Sequence, residues 1–114
     1  MTFQSEVVNI GGVYQVALSG RLDSNTSGEF EKSLQALFQS AECRALLDFS
    51  ALNYISSAGL RVVLMTAKRA KQGRGQLILH GLQPHVREVF EISGFLKILD
   101  VTDNREAALT RFGI

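Results

Sequence analysis

Residues 3–10 and 13–19 are strand-like runs rich in Val and Ile. Gly11-Gly12 between them can take the positive φ angles of a tight turn, so the pattern predicts an opening antiparallel hairpin. The cluster Asp23-Ser24-Asn25-Thr26-Ser27 offers several N-caps, and Phe30, Leu34, Leu37 and Phe38 then recur at helical spacing, predicting a helix that ends near Ser40. Residues 44–49 are apolar without alternation, as in a parallel strand covered on both faces. From Ser57, a stripe of Leu60, Val63, Leu64, Ala67 and Ala70 predicts a second helix, with Lys68, Arg69 and Lys71 in a basic last turn and a stop at Gly73. Residues 76–80 read as a strand. Pro84 suits the first position of a helix carrying Val86, Val89 and Phe90 and closing at Ser93-Gly94. Residues 97–101 read as the last strand, and Asp103 and Glu106 have the spacing of a capping box that opens a short helix through Leu109.

The order ββαβαβαβα predicts an α/β fold: a mostly parallel five-stranded sheet with an antiparallel edge strand and helices packed on it. Sites in such sheets gather beyond the carboxyl ends of the strands, here in loops at residues 20–27, 50–57, 81–84 and 102–103.

Composition narrows the function. With 114 residues, 46% hydrophobic and 20% charged, the chain suits one domain spanning residues 1–114. Twelve Lys and Arg against eleven Asp and Glu leave a net charge of +1. No field exists to hold a nucleic acid or an anionic membrane, and neither is expected as a partner. No uncharged apolar run approaches the roughly 20 residues that span a bilayer. The opening MTFQSEVVNI has no cationic start and no continuous apolar block, so a cytoplasmic location is expected. Cys43 alone can form neither an intramolecular disulfide nor a thiolate zinc cluster, and it reads as a small buried hydrophobe. His80 and His85 lack the spacing of a helical metal pair. No glycine pattern fits a phosphate cradle, so neither metal nor cofactor is expected.

The loop before the second helix is the most unusual, because Ser56 and Ser57 put two hydroxyls at a helix start beside the small Ala58 and Gly59. Either serine suits an N-cap, a role that contributes about 1 kcal/mol. Ile55-Ser56-Ser57-Ala58-Gly59 approaches the G-x-S-x-G nucleophile elbow but lacks the first glycine, and no carboxylate stands between Ser57 and the histidines. No catalytic residue is assigned.

Gly20-Arg21-Leu22-Asp23 after a hairpin, the D-x-S-x-L-x-x-I-x-S-x-G-L stretch from Asp48 to Leu60, and Ser93-Gly94-Phe95 before the last strand together resemble the STAS domains of anti-sigma factor antagonists. The resemblance covers nearly the whole chain in the same element order. It implies a binding protein without catalysis, held by a serine-kinase anti-sigma factor that also phosphorylates it, and reset by a PP2C-type phosphatase. Ser57 matches the family's phosphoacceptor, with Ser56 as the alternative, because Ser56 stands where one common version of the motif has Asp. Asp23 matches the acidic residue of the facing loop, and Arg21, Ser56, Ala58, Gly59 and Arg61 complete the implied partner-binding face. A monomer or a weak dimer is expected. The second function the family allows is a non-phosphorylated subunit of a transporter, lipid-trafficking or sensory complex.

Overall fold

The structure, a computed structural model, describes residues 3–114. Its strands are β1 (Phe3–Ile10), β2 (Val13–Leu22), β3 (Arg44–Ile55), β4 (Gln76–His80) and β5 (Asp100–Thr102). Its helices are α1 (Ser27–Leu37), α2 (Ser57–Gln72), α3 (Pro84–Ser93) and α4 (Arg105–Phe112), with a 3-10 turn at Phe95–Lys97. Gly11 and Gly12 take φ angles of 59° and 86°, the left-handed pair that a two-residue hairpin turn requires. β1 and β2 are therefore antiparallel, and the other neighbours pair in parallel in the order β1-β2-β3-β4-β5. The expected mixed sheet is present.

Both faces of β3 are covered over residues 44–49, which explains the lack of alternation there. Ala45, Leu47 and Phe49 join Val16, Leu18, Phe30, Leu34, Val63, Leu79 and Phe90 in a core under α1, α2 and α3. Leu46 points the other way, into a smaller cluster with Val13, Ile78, Ala108 and Phe112 under α4. Phe49 and Phe90 meet edge to face at 5.8 Å, a favoured geometry for buried rings.

The sequence expectations for residues 20–22 and 50–55 as loop are corrected: β2 continues to Leu22 and β3 to Ile55. The register between them shifts between Ala17 and Ser19 and again between Gly20 and Arg21, and each shift adds a residue on β3. Such bulges interrupt the period-two pattern and hide a strand from sequence. β4 ends at His80, so beyond it β3 would have a bare edge. The side chains of α3's first turn fill that gap: Gln83 Nε2 donates to the Ser50 carbonyl at 2.9 Å, and His85 Nε2 hydrogen-bonds the Asn53 carbonyl.

The last strand is likewise shorter and later than residues 97–101. Gly94 turns left-handed at φ 79°, and the N–H groups of Ile98 and Leu99 both bond to the Phe95 carbonyl, so that stretch coils before pairing begins at Asp100. α1 stops at Leu37 and not near Ser40, while Phe38 remains buried just past its end. Asn104, one residue after the expected Asp103, caps α4 by accepting from Ala107 N at 2.8 Å.

Candidate functional site

The two segments singled out in the sequence meet where β2 and β3 end. Ser56 N donates to Leu22 O at 2.8 Å, fixing the start of α2 against the last residue of β2. Ser56 is extended and serves as N-cap: its Oγ accepts from Gly59 N at 3.2 Å, and its carbonyl accepts from Leu60 N at 2.9 Å. The next residue differs. Ser57 is exposed, and its Oγ hydrogen-bonds none of the described residues. Two of the N–H groups a helix start leaves over are thus satisfied, and those of Ser57 and Ala58 have no helix carbonyl to meet.

Gly59 is buried. A Cβ there would lie 2.7 Å from Leu22 Cγ and 3.1 Å from Ile55 Cγ1, so glycine lets α2 approach the strand ends closely. Ala58 is half-buried, while Arg61, one turn after Ser57, is exposed and ion-paired with none of the described residues. Arg21 lies opposite Tyr54 in the β2–β3 register, and its guanidinium stands 4.2 Å from the centre of that ring. This cation–π contact holds an otherwise mobile cation in place, at a gain of about 0.5–1 kcal/mol for an exposed pair.

Asp23 does not cap α1. The N-cap position is Thr26, which makes no side-chain cap bond. Asp23 Oδ1 instead accepts from the N–H groups of Asn25 at 2.9 Å and Thr26 at 3.1 Å, and Asp23 N donates to Thr26 Oγ1 at 2.9 Å. The carboxylate therefore shapes the turn that follows Arg21 and Leu22. Tyr54, Gln83 and His85 escaped the sequence reading. Only Pro84 hinted at the last two, by marking a helix start whose flanking side chains face β3.

His80 is buried at the end of β4, with Nε2 3.7 Å from Asp48 Oδ1. Burial pushes its pKa below the ordinary 6.5, Asp48 pulls it upward, and Arg105 lowers it further. Burial also raises the Cys43 thiol. A groove of about 440 Å³ between α1 and α2, lined by Leu34, Val62, Met65 and Lys68 among others, includes none of the predicted site residues. Among the described residues no group of three or more His, Cys, Asp or Glu could hold a metal, and no helix is long and apolar enough to cross a membrane.

The family profile described as the STAS domain matches residues 4–108. A Bordetella bronchiseptica protein provisionally described as an anti-sigma factor antagonist, BtrV, is 50% identical over 103 residues, covering 90% of this chain and 89% of that protein. The anti-sigma F factor antagonist of Paenibacillus polymyxa is 31% identical over 100% of this chain and 98% of its own length. Among solved structures, an anti-sigma factor antagonist from Mycobacterium paratuberculosis superposes with a TM-score of 0.86 at 23% identity, over 96% of this chain and 93% of that one.

Proposed function

The chain belongs to the STAS domain family, and we propose that it is an anti-sigma factor antagonist switched off by phosphorylation of Ser57. The names of its relatives support the antagonist role, above all the protein that is 50% identical. One observation carries the finer reading: of two adjacent hydroxyls at the start of α2, Ser56 is spent on the Gly59 cap, while Ser57 is exposed and hydrogen-bonds none of the described residues.

In the proposed cycle a serine-kinase anti-sigma factor docks on the strand ends. The γ-phosphoryl of ATP passes to Ser57 Oγ, the hydroxyl proton leaves, and ADP departs. A PP2C-type phosphatase adds water across the phosphoester, restoring the hydroxyl and releasing inorganic phosphate. The chain itself supplies the acceptor and no catalytic group. Ser56 holds the acceptor in place, Ala58 leaves room beside it, and Arg21, Asp23 and Arg61 complete the docking face.

A phosphoserine carries about −1.5 to −2 charges. At the first residue of α2 it meets the free N–H groups of Ser57 and Ala58 and the positive end of the helix dipole, so the fold accepts it. The complex does not. A phosphate pressed into a face shaped around a neutral hydroxyl sheds its water against a docked protein that offers it no partner, at a cost of about 2–5 kcal/mol, or roughly 30-fold to several thousand-fold in affinity.

Incubation of the full chain with an anti-sigma factor kinase and ATP tests this. One phosphate, mapped by peptide sequencing to Ser57 and removed by a PP2C enzyme, is the expected result. Phosphate on Ser56 alone, or binding that is indifferent to Ser57 phosphorylation, overturns it.

A further inference from the structure

β1 is the outer strand of the sheet, with no described strand beyond it. The Ile10–Val13 pair that closes the two-residue turn exchanges both of its hydrogen bonds, so by alternation Ile10, Val8, Glu6 and Gln4 aim their backbone groups at β2. Phe3, Ser5, Val7 and Asn9 aim theirs outward. Natural outer strands are usually blunted by proline, lysine, bulges or brevity. β1 has none of these: it runs eight residues without Pro, Lys or Arg, in unbroken register with β2, and Glu6 is its one charge. Val7 and Val8 are 45% and 55% exposed, on opposite faces.

We propose that β1 pairs antiparallel with β1 of a second copy about a twofold axis at Val7, joining the two sheets edge to edge. Only outward-facing residues can exchange hydrogen bonds, so a symmetric register must set odd-numbered residues against odd-numbered ones. Centring on Glu6 would oppose the two carboxylates, which destabilises a cross-strand pair. Centring on Val8 would set Ser5 against the Gly11 turn and lose ladder bonds. Centring on Val7 sets Val7 against its copy, Ser5 against Asn9, and Glu6 against Val8, so the carboxylates part and the exposed valines are covered. β2 separates this edge from the β3–α2 turn, and the pairing does not rest on phosphorylation of Ser57. An interface of one strand pair falls at the small, weak end of specific contacts.

Sedimentation velocity on the full chain, carried up to about 1 mM, tests the proposal, because a dissociation constant at that level corresponds to only about 4 kcal/mol of binding. A concentration-dependent dimer is expected. Val7→Lys and Val7→Glu should each raise the dissociation constant at least about tenfold, while their equimolar mixture recovers the dimer, because only this register opposes the two positions. Ser5→Pro, which removes an outward donor without adding charge, should weaken it as well. A wild-type chain that stays monomeric throughout, or variants that all dimerise as wild type does, overturns the pairing. A mixture that stays monomeric overturns the register.

Discussion

Ser56 Oγ accepts the backbone N–H of Gly59 at 3.2 Å, which divides the labour between two neighbouring serines. Ser56→Ala removes a cap and should cost about 1 kcal/mol of stability, within the 0.5–2 kcal/mol measured for such losses. Ser57→Ala touches no hydrogen bond and should stay within about 0.5 kcal/mol of wild type. Urea midpoints read the first effect. Phosphate incorporation by the kinase reads the converse: Ser56→Ala keeps it, and Ser57→Ala abolishes it while still binding.

Ser57→Asp imitates part of the added charge and should weaken kinase binding by at least about 30-fold, the lower end of the cost of an unpaired interfacial charge. Calorimetric titration reads the affinity. Binding as tight as wild type would contradict the proposed switch.

Glycine in a helix interior is ordinarily improved by alanine, by about 1 kcal/mol. Gly59→Ala should do the reverse. The new methyl would sit 2.7 Å from Leu22 Cγ and 3.1 Å from Ile55 Cγ1, and overpacking of this kind costs about 1–3 kcal/mol. A lowered thermal midpoint with unchanged far-ultraviolet circular dichroism is the expected outcome.

His80 makes stability depend on pH. Burial, with Arg105 acting in the same direction and Asp48 opposing, sets its folded pKa below the ordinary 6.5. Between the two values the unfolded chain binds the proton and the folded chain does not. The His80 contribution is therefore fully present above pH 6.5 and is lost as the pH falls from there toward the folded value. Urea midpoints measured from pH 7.5 downward should fall more steeply for wild type than for His80→Gln. Equal slopes would contradict this account.

What was legible in the chain, and what was not, has a physical pattern. Gly11-Gly12, Pro84 and the apolar stripe of α2 are local signals, and each lies where the sequence places it. Residues 50–55 read as a loop because two bulges break their alternation, and a bulge is specified by the partner strand and not by the strand's own residues. Ser56 and Ser57 were found together at a helix start, but spacing could not say which one caps. That depended on the Leu22 carbonyl, thirty-four positions away, which orients Ser56. Gln83 and His85 were invisible for the same reason, since their role arises only because β4 stops at His80 while β3 runs on.

The bond between Ser56 and Leu22 also decides what form of this site another macromolecule could read. A synthetic peptide copying residues 53–61 would contain every nearby side chain of the β3–α2 turn yet lack the carbonyl that anchors it and the Arg21 that lies over Tyr54. The proposed docking surface is thus discontinuous in sequence, and excised linear fragments of it should be poor kinase substrates and poor competitors.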